Sequence, residues 1–276
     1  MKMEEVDNLF RDIRIILGEE YCNNNVGSIF YSGVQALQEG PFYLMGWNPG
    51  GDPKKTDTTI AKSLNRWLDY PPNWSEYTHE RWKTPAEPIQ VEGPLDLKEM
   101  TQHQRNVVYF CHTVLKQDVR RVFSANAVSL RTPKGEQLPK DVAMGKWWEL
   151  HRLLMSHVRP KVLICLGHDP KPSASSFALV QKWLDIKVQP EKQPCGQKGK
   201  SQVVVRYFPE PILIRLKDGL EPIECAVIGI PHPSFHWYPR LERFADSIHR
   251  VLKALHRDHL MGSHEIPQFI EGTPDH

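Results

Sequence analysis

Two stretches of the chain, LMGWNPGGDP at 44–53 and VIGIPHPSF at 227–235, each run from apolar residues into a loop of Gly, Pro and one polar side chain. The first loop offers the carboxamide of Asn48 and the second the imidazole of His232. A carboxamide can orient a water, and an imidazole can give a hydrogen bond or a proton near neutral pH. Facing each other across a pocket, the two could cut a bond to an electron-poor base. A third apolar stretch, RVFSAN at 121–126, ends on Asn126, whose amide has one acceptor and two donors and can be turned either way. A fourth, KVLICLG at 161–167, precedes His168. Asn126 could equally be a turn residue, and His168 an incidental loop histidine.

For these groups to meet, the stretches that carry them must be neighbouring strands. FYLMG, RVFSAN, KVLICLG and CAVIGI are short, continuously apolar and separated by helical patterns, as parallel strands covered on both faces require. The chain reads as helix near 4–17, strand 42–46, helices 55–69 and 104–117, strand 121–126, helix 139–157, strand 161–166 and helix 173–184. Strands follow near 202–208, 211–216 and 224–230, then a helix at 239–257. The expectation is an α/β protein, a three-layer α/β/α sandwich with a central, mainly parallel four-stranded sheet. Ligands of open parallel sheets sit at the carboxyl ends of the strands, so one mouth could hold Asn48, Asn126, His168 and His232.

Residues 1–276 are expected to form a single domain with two interruptions. The segment 70–103 is rich in Pro, Trp and Tyr with neither helical nor strand period, which marks a long loop or insertion. The segment 187–206 reads as a basic, turn-rich excursion before a hairpin, and the tail from about 258 as loosely ordered. Trp147 and Trp148 fall mid-helix among leucines, as core residues do.

A chain that is 40% hydrophobic and 25% charged has material for an ordinary core. The formal charge of +2 excludes a polycation that coats nucleic acid indiscriminately, so a nucleic-acid face would have to be local. Five scattered cysteines without a CxxC pair argue against a disulfide framework, a zinc site or an iron–sulfur cluster. No metal or cofactor is expected, and the thiols suit a reducing cytoplasm. The N-terminal MKMEEVDNLFRDIRIIL has helical spacing rather than a signal peptide's apolar core, and no run is long enough to cross a bilayer. The expectation is a monomeric, non-membrane protein of the cytoplasm.

GWNPG resembles the GxNPG motif, and HPS the second motif, of the uracil-DNA glycosylase superfamily. SANAVSLR at 124–131 is similar to the strand-end segment whose Asn reads the everted uracil in that superfamily. Order, spacing and strand-end placement match over about residues 40–250. The likeness is to the GxNPG/HPS branches, which include mismatch-specific and single-strand-selective uracil glycosylases. Relatives in bacterial anti-phage defence remove heavily modified cytosines.

The resemblance implies a uracil-DNA glycosylase-like sandwich, a bacterial cytosolic setting and a DNA partner carrying a damaged or modified pyrimidine. The activity implied is hydrolytic excision of a uracil-like or five-modified pyrimidine, including hydroxymethylated or glucosylated cytosine, to leave an abasic site. N-glycosidic cleavage builds positive charge on the sugar and negative charge on the base, so fixed dipoles aimed at the base oxygen carry most of the catalysis. His232 would supply that dipole, as the matching His does in the family, and Asn48 would hold the water. The strongest family members have an Asp there, and an amide is the weaker activator. Asp52 could supply a carboxylate, or could cap the helix that begins near Pro53.

Asn126 would read the base edge, with Trp47 or Phe42 stacking on the ring. Gly50 stands where uracil-strict relatives carry a Tyr that blocks the pyrimidine five-position, so the gate is open; Gly50 and Gly51 could equally serve only a tight turn. Everting a nucleotide costs a few kcal/mol of stacking, which phosphate contacts and a wedge offset. Ser234 fits the family's phosphate pinch. His236, Trp237 and Tyr238 offer wedge aromatics, Arg240 a phosphate or base-gap contact, and Phe235, Lys54, Lys55 and His168 further contacts to the DNA. Two other readings stand beside this one. A non-catalytic nucleic-acid binder could share the fold, and a small-molecule hydrolase or transferase could use His232 as base, although GxSxG and P-loop motifs are lacking.

Overall fold

The first helix shows how the sequence builds its layers: Val6, Leu9, Phe10, Ile13 and Leu17 recur at helical spacing in α1 (Met3–Leu17), and all five are buried. The computed structural model describes residues 3–38, 40–82, 89–90, 96, 98–133, 138, 145–168, 175–198, 201–217, 219–234 and 241–261. After α2 (Glu19–Asn24) the chain enters β1 (Phe42–Gly46), whose continuous apolar run buries both faces. Phe42 and Leu44 point into one core; Tyr43 and Met45 point into the other. Alternation of this kind is the pleat of a strand covered on both sides.

The helix expected at 55–69 is divided. Asp52 accepts a hydrogen bond from the Lys54 N–H and caps a single 3-10 turn at Pro53–Lys55. The helix proper, α3 (Ile60–Trp67), starts behind Thr59, whose hydroxyl accepts from the Lys62 N–H. Between them lies TDTT, and its β-branched threonines favour extended backbone. Within the 70–103 segment expected as a long loop or insertion, residues 74–82 pack against the body of the protein. The segment carries α4 (Glu76–His79), β2 (Glu80–Arg81) and β3 (Ile89–Gln90), and Trp74 and Tyr77 are buried. A fully buried aromatic ring contributes about 2–3 kcal/mol, enough to hold a segment that shows no period. Helix α5 (Gln102–Tyr109) begins with a Thr101–Gln104 capping box and runs into a π turn at Phe110–Val114.

Strand β4 (Phe123–Asn126), helix α6 (Lys146–Val158), strand β5 (Val162–Leu166) and helix α7 (Ser176–Trp183) follow. Trp147 is fully buried, and Trp148 stacks on Trp183 with ring centroids 5.6 Å apart. The stretch expected as a basic excursion is itself a hairpin, β6 (Glu191–Lys198) and β7 (Ser201–Tyr207), with an irregularity at Pro194–Gly196. Strands β8 (Ile212–Ile214) and β9 (Ile223–Ile230) and helix α8 (Leu241–Ala254) complete the chain.

The sheet therefore has seven strands, not four, and it is mixed. Its order is β4-β1-β5-β9-β7-β6, with β8 also paired to β9. The four apolar stretches singled out above form its parallel part, β4, β1, β5 and β9. Strands β7 and β8 add antiparallel to β9 through short registers, and β6 adds to β7. Helices cover both faces: α1, α3, α6 and α7 pack on one core, and α5 and α8 on the other. Among the described residues no helix is long and apolar enough to cross a membrane.

Candidate active site

Because β4, β1, β5 and β9 are parallel and adjacent, their carboxyl ends line up along one edge. Asn126 ends β4, Asn48 follows β1, Gly167 and His168 follow β5, and His232 follows β9. One strand separates β1 from β9, a span of roughly 10 Å at the usual strand spacing. Gly167, at φ +124°, turns the chain beside His232 and leaves 3.6 Å between an added Cβ and the imidazole Cδ2. Its N–H bonds the Ile230 carbonyl, tying the two strand ends together.

Asn48 is held by the segment that follows β4. Its Nδ2 donates to the carbonyls of Pro49 (3.0 Å) and Leu130 (3.1 Å) and to Thr132 Oγ1 (2.9 Å). Carbonyls only accept, so the amide's orientation is chemically determined: the N–H side faces the loop. The carbonyl oxygen Oδ1 is the group left to accept from a water. Bonds from Ala127 N–H to Gly46 O and from Val128 N–H to Trp47 O bind the two segments together along their backbones.

Asn126 is buried, and its Nδ2 has no acceptor among the described residues. Its Oδ1 lies over Gly46, the register partner of Asn126 in the sheet, where an added Cβ would come within 2.4 Å. The first Gly of GWNPG thus makes room for an amide from the neighbouring strand. Tyr31 lies beside the Asn126 side chain. Behind it, His151 Nε2 donates to the Ala127 carbonyl at 3.1 Å, and its Nδ1 accepts from the Tyr43 hydroxyl at 2.6 Å. Burial lowers His151 to about 4, so it is neutral and can play both parts.

His232 accepts at Nδ1 from the Ser234 N–H, 3.2 Å away. A nitrogen that accepts carries no proton, so the neutral ring holds its hydrogen on Nε2. Burial lowers the group to about 4, which keeps it neutral at physiological pH. Helix α5 stands against this loop. Asn106 Nδ2 donates to the Pro233 carbonyl at 2.5 Å, and His103 Nδ1 lies 3.1 Å from Ser234 Oγ.

Aromatic rings bridge the Asn126 and His232 sides. Tyr31 packs on Tyr77 and Trp82, Tyr77 lies parallel to His103, and His103 meets His232 edge to face at 5.2 Å. On the Gly50 side, Arg131 Nη1 donates to the Gly50 carbonyl at 2.5 Å. Arg131 also lines a crevice with the buried carboxyls Glu76 and Glu80. Burial raises both acids: Glu76, facing Glu80, lies well above the usual carboxylate range, and Glu80 rises to about 7. Gly50 itself is exposed, and an added Cβ there meets nothing within 4 Å among the described residues.

Asn48, Asn126, His168, His232 and Ser234 therefore gather at one edge. Phe42 does not. Its ring is buried in the core at the amino end of β1, away from the carboxyl ends, because it opens the strand that Asn48 follows. Trp47 is half-buried and packs on the core covered by α1, α3, α6 and α7, with no acceptor for its Nε1 among the described residues. His168 is half-buried, and its Cβ would sit 2.8 Å from a Cβ on Gly229, so β9 needs glycine there. Lys54 and Ser234 are exposed. The Lys55 side chain and the stretch Phe235, His236, Trp237, Tyr238 and Arg240 lie outside the described residues. Sequence reasoning missed Tyr31, Tyr77, Trp82, His103, Asn106 and Thr132. QHQRN at 102–106 was visible as a polar first helical turn, but nothing local ties it to a loop more than 120 residues away. Comparison with protein-family models and with curated proteins finds no match to the chain.

Proposed function

We propose that the protein is a DNA glycosylase that everts and hydrolytically excises a uracil-like or five-modified pyrimidine, leaving an abasic site. On this reading its sheet and helices are a variant of the uracil-DNA glycosylase-like sandwich. The observation that carries the proposal is the complementary orientation of its two polar groups. His232 is a neutral imidazole with its proton on Nε2, and Asn48 has its N–H side committed to the 130–132 loop.

In the reaction, His232 Nε2–H donates to the base oxygen on which negative charge collects as the N-glycosidic bond breaks. A donor already in place costs no reorganisation, and one such donor is worth about 10²–10³ in rate. Asn48 Oδ1 accepts a hydrogen from water and turns the water's lone pair toward the sugar cation. The base leaves with the bonding pair, water adds to the sugar carbon, and the water's proton passes to solvent or to the base. Asn126 Nδ2 donates to an acceptor on the base edge, which satisfies an otherwise orphaned buried donor. Tyr31, Tyr77 and Trp82 supply the aromatic wall, in place of Phe42, which is buried in the core, and Trp47, which packs on the opposite core. The open space at Gly50 admits a five-substituent, of which hydroxymethyl or a sugar are the physically admissible kinds. Ser234, Lys54, Lys55, His168 and the aromatic run 235–240 hold the DNA.

The test uses oligonucleotides carrying uracil, hydroxymethyluracil, hydroxymethylcytosine or glucosylated cytosine. Abasic sites are read by alkaline cleavage and freed base by mass spectrometry. At least one substrate should lose its base, and His232→Ala and Asn48→Ala should each lower the single-turnover rate by about 10²–10³-fold while sparing DNA affinity. DNA binding without base release from any substrate would replace the enzyme with a non-catalytic binder.

A further inference from the structure

The loop that carries His232 is fixed by one side of α5. Asn106 bonds the Pro233 carbonyl, and its own Oδ1 accepts from Gln102 Nε2 at 2.8 Å. The Ser234 backbone and side chain divide their bonds between two imidazoles: N–H to His232 Nδ1, and Oγ to His103 Nδ1. His103 has little freedom to turn. The capping box at Thr101 and Gln104 sets its helical turn, and Gln104 Nε2 donates to the carbonyls of Glu76 and Glu80 at 3.1 and 2.6 Å. Its ring lies within 5° of parallel to Tyr77, whose hydroxyl meets Ser124 Oγ at 3.1 Å.

We propose that His103 is a positioning residue for His232: by bonding Ser234 Oγ it keeps the Ser234 N–H on His232 Nδ1, so the imidazole proton stays on Nε2. A free imidazole passes its proton readily between its two nitrogens, and the bond made at one nitrogen decides the tautomer. Losing the Ser234 anchor would let the Pro231–Ser234 loop shift and Nδ1 compete for the proton. A ring protonated on Nδ1 presents a lone pair at Nε2, which repels a developing oxyanion instead of stabilising it. Burial keeps His103 neutral, lowered to about 3 with a further push from His232, so the pair does not bring a second positive charge to the loop. The value of the tautomer to catalysis rests on the glycosylase reading; the tautomer itself does not.

The full chain labelled with 15N-histidine separates the two. Long-range proton–nitrogen spectra at pH 7 distinguish the imidazole tautomers, and His232→Ala identifies the His232 signals. Wild type should show the Nε2–H form. His103→Phe keeps a ring against Tyr77 and Trp82 but removes Nδ1; it should give a tautomer mixture at His232 and roughly tenfold slower single-turnover base release, with an unchanged melting temperature. His103→Gln, whose amide falls near the Nε2 position and cannot reach Ser234, should behave the same way. His103→Asn, whose amide falls near Nδ1, should restore most of both properties. An unchanged His232 tautomer in His103→Phe and His103→Gln overturns the proposal, as does a failure of His103→Asn to differ from them. If no DNA loses a base while the tautomer still shifts in these variants, the glycosylase reading fails and the positioning role stands.

Discussion

Asn48 and His232 are each turned by a neighbour's backbone: the Leu130 carbonyl takes an Asn48 N–H, and the Ser234 N–H takes the His232 lone pair. Backbone groups cannot flip, so both side chains are held in place, and on the proposed glycosylase reading this is the preorganisation from which electrostatic catalysis gains most. Gly50, two residues beyond Asn48, differs because a Cβ built there meets nothing within 4 Å among the described residues. A substitution there starts in open space, so on the glycosylase reading its effect should fall on the ligand more than on the fold. Gly50→Tyr should lower release of a five-substituted pyrimidine roughly tenfold or more beyond any loss on plain uracil, as read from single-turnover rates on the two substrates. Equal loss on both would show that the ring obstructs the base itself.

Between elements, the segment that leaves β4 makes two contacts with β1 and its loop: Asn126 sets its amide over Gly46, while Leu130 and Thr132 clamp the amide of Asn48. Both depend on the parallel register of β1 and β4, in which Gly46 faces Asn126. A Cβ at position 46 would lie 2.4 Å from Asn126 Oδ1 and force that side chain out. Gly46→Ala should therefore cost about 1–3 kcal/mol in urea unfolding and erode discrimination between bases more than it slows the best substrate. Retained discrimination at wild-type stability would mean that Asn126 does not read the base. This role of Gly46 was not legible in GWNPG, where the glycine looks like part of a turn. The clash comes from a side chain 80 residues away.

Across the whole molecule, buried ionisable groups set opposing pH dependences. His103, His151 and His232 are lowered to about 3, 4 and 4 by burial, and they ionise near 6.5 once unfolded. Their contribution to stability is full above pH 6.5 and is lost as pH falls toward 4, because the unfolded chain binds protons that the native one refuses. Glu80, raised to about 7 by burial, has the reverse sign: its contribution is full below about 4.5 and is lost as pH rises through 7. Glu80→Gln, which mimics the protonated acid, should stabilise the protein at pH 8.5 relative to pH 5.5 by on the order of 2 kcal/mol, measured by denaturant unfolding at both pH values. A pH-independent difference would show that Glu80 ionises in the native protein as it does in water.

The amino-acid sequence by itself determined the parallel half of the sheet. FYLMG, RVFSAN, KVLICLG and CAVIGI are apolar on both faces, and only strands buried on both sides tolerate that composition. It also determined that Asn48, Asn126, His168 and His232 follow such strands, because Gly, Pro and Asn announce where a run must stop. Only the tertiary structure decided the rest: that Pro-bearing β6 joins the sheet, that Phe42 is buried in the core covered by α5 and α8, and that α5 reaches the loop after β9. The reason is one of range. Periodicity and turn chemistry are read within a dozen residues, whereas the bonds of His103, Asn106 and Thr132 to the site form only after strand order and register bring distant segments together.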